Sequence, residues 1–118
     1  HALDIDAITA AVHMMHGNYR RVVEYLVTAC AHVVLCNVYY PPAVATLFDG
    51  SVDDATIHRI IALHNQMVAT TAHMYSAHLL DIASVCREAA DFVHVIEPSA
   101  GGGAKLVNAL THLPLFRP

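Results

Sequence analysis

The chain has little charge: of 118 residues only 14% are Asp, Glu, Lys or Arg, against 56% that are hydrophobic. That ratio excludes an intrinsically disordered segment, whose composition is polar and charged. It also leaves a small globule short of polar cover, because at this length surface is large relative to volume. The apolar excess therefore predicts surfaces that expect a partner, either the rest of a larger α/β domain lying N-terminal to this stretch or another copy in a homo-oligomer. Six basic residues, scattered apart from Arg20-Arg21, and a net charge of −4 give no basic patch, so no nucleic acid is expected as a partner. No apolar run approaches the roughly 18 residues of a membrane helix, and no membrane span is expected. His1-Ala2-Leu3-Asp4 has no basic n-region leading into an apolar h-region, so no signal peptide is legible and the sequence assigns no compartment.

Metal and redox signatures are missing too. Cys30, Cys36 and Cys86 are odd in number and have no C-x-x-C spacing; near a helix end and in an apolar strand, Cys30 and Cys36 read as small hydrophobes. Ten histidines are many for this length, yet there is no H-E-x-x-H and no Cys/His cluster. His13 and His16, three apart, share a helical face where two imidazoles meet one ion, but no third ligand is fixed by spacing. Scattered surface and half-buried histidines are the competing reading, and no metal or cofactor is expected.

Periodicity organises what is present. Ile5, Ile8, Val12, Met15, Tyr19, Val22, Val23, Leu26 and Val27 recur at helical steps over residues 4–31, with a break expected at Gly17-Asn18. Val33 to Tyr39 is a near-continuous apolar run ending at Pro41-Pro42, the pattern of a strand buried on both faces of a parallel sheet. A loop with Asp49-Gly50 follows. Ser51 or Asp53 then caps a helix running to about Ser76, with Ile57, Ile60, Ile61, Leu63, His64, Met67, Val68 and Thr71 inward. Asp53-Asp54 reads as a capping pair rather than paired acid/base carboxylates. Leu79 to Ile82 is a second strand and Ser84 to Ala90 a short helix. Asp91 to Gly103 reads as a loop, and Ala104 to about His112 as the last helix before Pro114 and Pro118. This alternation predicts one α/β domain over 1–118 with a parallel sheet, and two strands alone leave that sheet short of neighbours.

Four segments, in order, resemble the SGNH (GDSL-type) hydrolases. His32-Val33-Val34-Leu35-Cys36-Asn37-Val38-Tyr39-Tyr40-Pro41-Pro42 resembles the family's third core strand and its loop. Leu63-His64-Asn65-Gln66-Met67-Val68 is similar to the "L-N-x-x-I" helix, and Leu79-Leu80-Asp81-Ile82 resembles the next strand. Ile96-Glu97-Pro98-Ser99-Ala100-Gly101-Gly102-Gly103-Ala104-Lys105-Leu106 is similar to the last block, often His-Pro-Ser followed by Gly and a helix. The resemblance implies the C-terminal part of a flavodoxin-like three-layer α/β/α sandwich, and ester hydrolysis by Ser, His and Asp on a small ester or acylated substrate. Neither the Gly-Asp-Ser nor the Gly-x-Asn-Asp block is in the sequence, and His1-Ala2-Leu3-Asp4 looks like residues just downstream of the latter.

In the family the base and its orienter lie in the last loop as Asp-x-x-His, with Pro after the His. Asp91-Phe92-Val93-His94 has that spacing but Val95 follows, which makes His94 the candidate base and Asp91 its orienter. Aligning on Pro98-Ser99 instead puts Glu97 at the histidine position and His94 at that of the aspartate. A branch of the family reading roughly Asp-Tyr-Ala-Asn-Pro-Ile-Glu-Pro-Ser makes Glu97 an ordinary residue and His94 a replacement for Asn. Glu97 as a base needs its proton affinity raised by burial, since an unperturbed Glu titrates near ~4.3. Ser99 before three glycines is either an anion-facing helix start or a plain N-cap, and Lys105 reads as a helix-surface charge. The expected function is an SGNH-type serine esterase or acyl hydrolase. The alternatives are a catalytically inactive SGNH-like binding or assembly module, or a truncated gene product.

Overall fold

The computed structural model of the chain describes residues 4–116. The His1-Ala2-Leu3 part of the N-terminal resemblance and Pro118 lie outside the described residues. Asp4 starts the first helix by accepting the Ala7 N–H at 3.0 Å, and α1 runs unbroken over Ile5–Ala29. The break expected at Gly17-Asn18 does not occur. A mid-helix glycine costs about 1 kcal/mol, and the packed turns on either side, through His16 and Val23, hold the rod straight through it. The buried stripe is His16, Tyr19, Val23 and Val27. Met15 and Val22, expected inside, face solvent together with Met14 and Tyr25, the last two at 74% and 70% exposure.

Strand β1 (Val34–Cys36) pairs in parallel with β2 (His78–Leu80), in the register Val34↔His78 to Cys36↔Leu80. Helix α2 (Asp54–Met74) connects them, so the order is a βαβ unit and the class is α/β. Asp53 caps α2, its carboxylate accepting the Thr56 N–H at 2.6 Å. Val23 of α1, Leu35 of β1 and Val68 and Ala72 of α2 form the main core, with Tyr19, Val27, Val33 and Leu79 against it. A second cluster of Val44, Val52 and Ile57 pins the loop after β1 onto the start of α2.

Both strands are shorter than the apolar runs that announce them. The β1 run stops at Cys36 because the Asn65 side chain takes over the backbone of Val38. The Asn65 Oδ1 accepts the Val38 N–H, and its Nδ2 donates to the Val38 carbonyl, each at 2.8 Å. The β2 run ends at Leu80 because Asp81 turns away to cap a short helix α3 (Ile82–Val85), not the Ser84–Ala90 helix expected. The stretch expected as a loop is also ordered. A 3₁₀ turn (Ala89–Asp91) leads into an antiparallel pair, β3 (Phe92–Val93) with β4 (Glu97–Pro98), and α4 spans Ala100–Thr111. These are one parallel and one antiparallel pair; the described strands do not by themselves make the layers of a sandwich. No described helix is long and apolar enough to cross a membrane.

Candidate functional site

Two loops meet beyond the carboxyl ends of β1 and β2. Asn37, leaving β1, is buried and donates from Nδ2 to the Asp81 carboxylate at 2.6 Å, while its Oδ1 accepts the Ala83 N–H at 3.0 Å. These bonds tie the exit of β1 to the exit of β2. Beside them opens a crevice of about 380 Å³, lined by Val38, Tyr39, Pro41, Val44, Ile61, Ile82 and Ile96 besides Asn37. Its walls are almost wholly apolar. Ile96 comes from the β3–β4 hairpin, which Tyr39 straps across the crevice. The Tyr39 hydroxyl donates to the Ile96 carbonyl at 2.9 Å, and its ring lies 5.0 Å from that of Phe92. Burial pushes the Tyr39 phenol above its ordinary range, with Cys86 and Glu97 adding to the shift, so the hydroxyl stays a donor.

Of the three residues singled out in the sequence, Asp91 ends the 3₁₀ turn while His94 and Glu97 lie on the hairpin after it, and their surroundings differ. Asp91 is buried, at 3% exposure. Its Oδ1 meets the Lys105 ammonium at 2.6 Å, and its Oδ2 accepts the backbone N–H of Arg87 and of Glu88, each at 3.0 Å. Lys105 first, and these amides with it, hold the Asp91 carboxyl below its usual range, and Asp91 in turn raises Lys105. Both carboxylate oxygens are thus engaged away from His94, and no hydrogen bond joins Asp91 to His94 among the described residues. Lys105, read as a helix-surface charge, is exposed on α4 and is also the partner of this buried carboxylate.

His94 sits at the exposed tip of the hairpin with φ 49°, followed by Val95 at φ 76°. The Ile96 N–H donates back to the His94 carbonyl at 3.0 Å, closing a γ-turn around Val95. A β-branched residue at positive φ is strained by roughly 1–3 kcal/mol, and such strain gathers at functional loops. Glu97 is exposed on β4, without the burial that the reading of it as a base requires.

Ser99 is a plain N-cap. Its Oγ accepts the Gly102 N–H at 3.1 Å and donates to the Ala90 carbonyl at 2.6 Å, and its N–H donates to the Asp91 carbonyl at 2.8 Å. The glycines belong to the first turn of α4, not to a flexible loop. Gly102 lies against the Asp91 backbone so closely that a Cβ there would overlap the carbonyl oxygen and sit 3.0 Å from its carbon. Beneath this junction the Cys86 thiol is fully buried, 3.6 Å from the Gly102 carbonyl, and burial followed by the Asp91 charge pushes it up. Cys30 and Cys36, read as small hydrophobes, are both exposed.

The histidines are distributed differently from their sequence spacing. His16 pairs with His64 of α2, Nε2 to Nδ1 at 3.0 Å, rather than with His13. His58 stacks on Tyr40, ring centroids 3.6 Å apart, and pairs with Asp54 at 3.4 Å. Tyr40 also donates to Asp54; burial first and that hydrogen bond second push its phenol up to about 12. Among the described residues no group of three His, Cys, Asp or Glu is placed to hold a metal ion. Asn37, Tyr39, Asn65 and Lys105, which build the site, all lie in segments that resemble the family's blocks, but each matters through a tertiary contact that no spacing announces. Comparison with family models, with curated proteins and with solved structures finds no match for this chain.

Proposed function

We propose that the chain is the C-terminal part of an SGNH-type acyl hydrolase, in a flavodoxin-like sandwich completed by strands outside these residues. In this reading the crevice holds the acyl portion of a small ester or acylated substrate. The observation that carries the proposal is the crevice itself, an apolar slot at the carboxyl ends of parallel strands, where open α/β sheets bind their ligands. His94, on the hairpin that supplies Ile96 to the rim, is the proton acceptor for a serine outside the 118 residues. Asp91, with both oxygens engaged, anchors the hairpin instead of orienting the imidazole. Glu97 keeps a polar place at the hairpin base.

A second reading, a catalytically inactive relative that binds an acylated partner, is favoured by one observation: Asp91 is spent on Lys105 and two backbone amides, leaving His94 without an orienter. Hydrolysis of an aryl ester by the natural protein separates the two. The first reading expects turnover that falls on the order of a hundredfold or more in His94→Ala. The second expects no turnover by wild type, with a fluorescent fatty acid still bound and released by Ile96→Asp. Turnover equal in wild type and His94→Ala removes His94 from the mechanism, and a protein that neither turns over the ester nor binds the fatty acid removes both readings.

A further inference from the structure

On the other side of α2 from this crevice, α1 and α2 flank a second cleft of about 390 Å³, and its composition is different. His13, His16, Gly17 and Arg20 fall at successive turns of α1 and line one wall, facing Gln66 and Met67 of α2 among others. No carboxylate lines the cleft, and Arg20 forms no ion pair among the described residues. We propose that this cleft is a binding site for a small oxyanion, a carboxylate or a phosphate, held by the Arg20 guanidinium and the imidazoles of His13 and His16.

His16 supplies the argument that exposed basic residues alone would not. It is 2% exposed and uses Nε2 on His64, yet its Nδ1 is fully buried and has no hydrogen-bond partner. An orphaned ring nitrogen in a packed helix interface is costly, and native structures satisfy nearly all such groups. The pairing with His64 sets which proton is available. When the Nδ1–H of His64 donates to Nε2 of His16, His16 must carry its own proton on Nδ1, the nitrogen with no partner. It then carries a donor without a partner while staying neutral, on a ring that lines the cleft. A second proton on His16 strengthens the site.

The charges that face His16 all have one sign. On α1 they are His13 and Arg20, and on α2 His64; Tyr19, whose ring lies 5.3 Å away, is neutral. Burial, then His64, His13 and Arg20 in that order, depress protonation of His16. An anion in the cleft removes the cause common to the last three, so binding and protonation favour each other. Gly17 completes the shape. Nothing lies within 4 Å of where its Cβ would be, so the missing side chain leaves the cleft wall open.

The test is an NMR titration of the protein with inorganic phosphate and, separately, with acetate, following the His16 imidazole and the Arg20 Nε–H. A saturable shift at both groups is expected with one anion or both, and the anion that saturates names the source. Affinity should rise as pH is lowered from about 8 to about 6, where imidazoles gain protons. Arg20→Gln, which changes an exposed side chain, should weaken binding on the order of tenfold. Gly17→Leu fills the cleft while removing a glycine from a helix interior, and should abolish binding without lowering Tm. Absence of shifts with both anions overturns the proposal, as does binding unchanged in Arg20→Gln and Gly17→Leu.

Discussion

Replacing Gly102 and Gly103 by alanine, one at a time, asks the same question of two neighbours in one helical turn. At Gly103 nothing lies within 4 Å of an added Cβ. Alanine there should stabilise by about 0.5–1 kcal/mol, the ordinary gain when a helix loses a glycine. At Gly102 the same gain is set against an overlap with the Asp91 carbonyl, which is backbone and cannot rotate aside. Overpacking of this kind costs about 1–3 kcal/mol. The shift that relieves it also pulls on the Ser99 cap, worth about 1 kcal/mol more. The net expectation is a loss of about 1–3 kcal/mol for Gly102→Ala and a gain for Gly103→Ala. At about 4 °C or more per kcal/mol, thermal unfolding followed by circular dichroism resolves the difference. Two changes of the same sign and size would refute the claim that Gly102 is required by the approach of α4 to Asp91.

Three further outcomes follow from the geometry. Val95→Gly should stabilise by about 1 kcal/mol, relief of the positive-φ strain exceeding the added chain entropy, as read from the urea midpoint. His16 and His64 are held below the ordinary histidine range by burial first, so each contributes stability above the unfolded value of about 6.5 that is lost as pH falls through the lower folded value. Urea midpoints should therefore decline on acidification from about pH 6.5, and a profile flat down to pH 5 would remove the pair from the account. A thiol reagent should label Cys30 and Cys36 in the native protein and reach Cys86 only on unfolding, as peptide mass mapping would show.

How much of this was written in the sequence depends on the range of the interactions involved. Helices α1 and α2 were legible because periodicity is a local signal, and at α2 so is the cap, for which Asp53 was one of two candidates. The parallel pair was legible as two apolar runs separated by a helix, but its ends were not. Those ends are set by Asn65 reaching Val38 across 27 residues, and by Asn37 meeting Asp81 across 44. Glycine composition misled at α4, since three glycines read as a loop until one is seen to be required by close backbone contact. At the candidate site the spacing of Asp91 and His94 suggested a dyad, whereas Lys105, fourteen positions after Asp91, takes the carboxylate instead. The helix-bound approach of a lysine to a distant turn has no one-dimensional signature.

The separation of β1 from β2 also orders the assembly of the molecule in time. Asn37 and Asp81 stand 44 residues apart, so the crevice between the strand exits exists only after the long α2 connection has been closed, against chain entropy. The β3–β4 turn joins Val93 to Glu97 and needs no such closure, so it is expected to form within microseconds. One wall of the crevice therefore waits for the others. Pulse-labelling hydrogen exchange during refolding should find amides of the hairpin protected before those of β1; the reverse order would mean that the hairpin takes shape only on the finished βαβ unit.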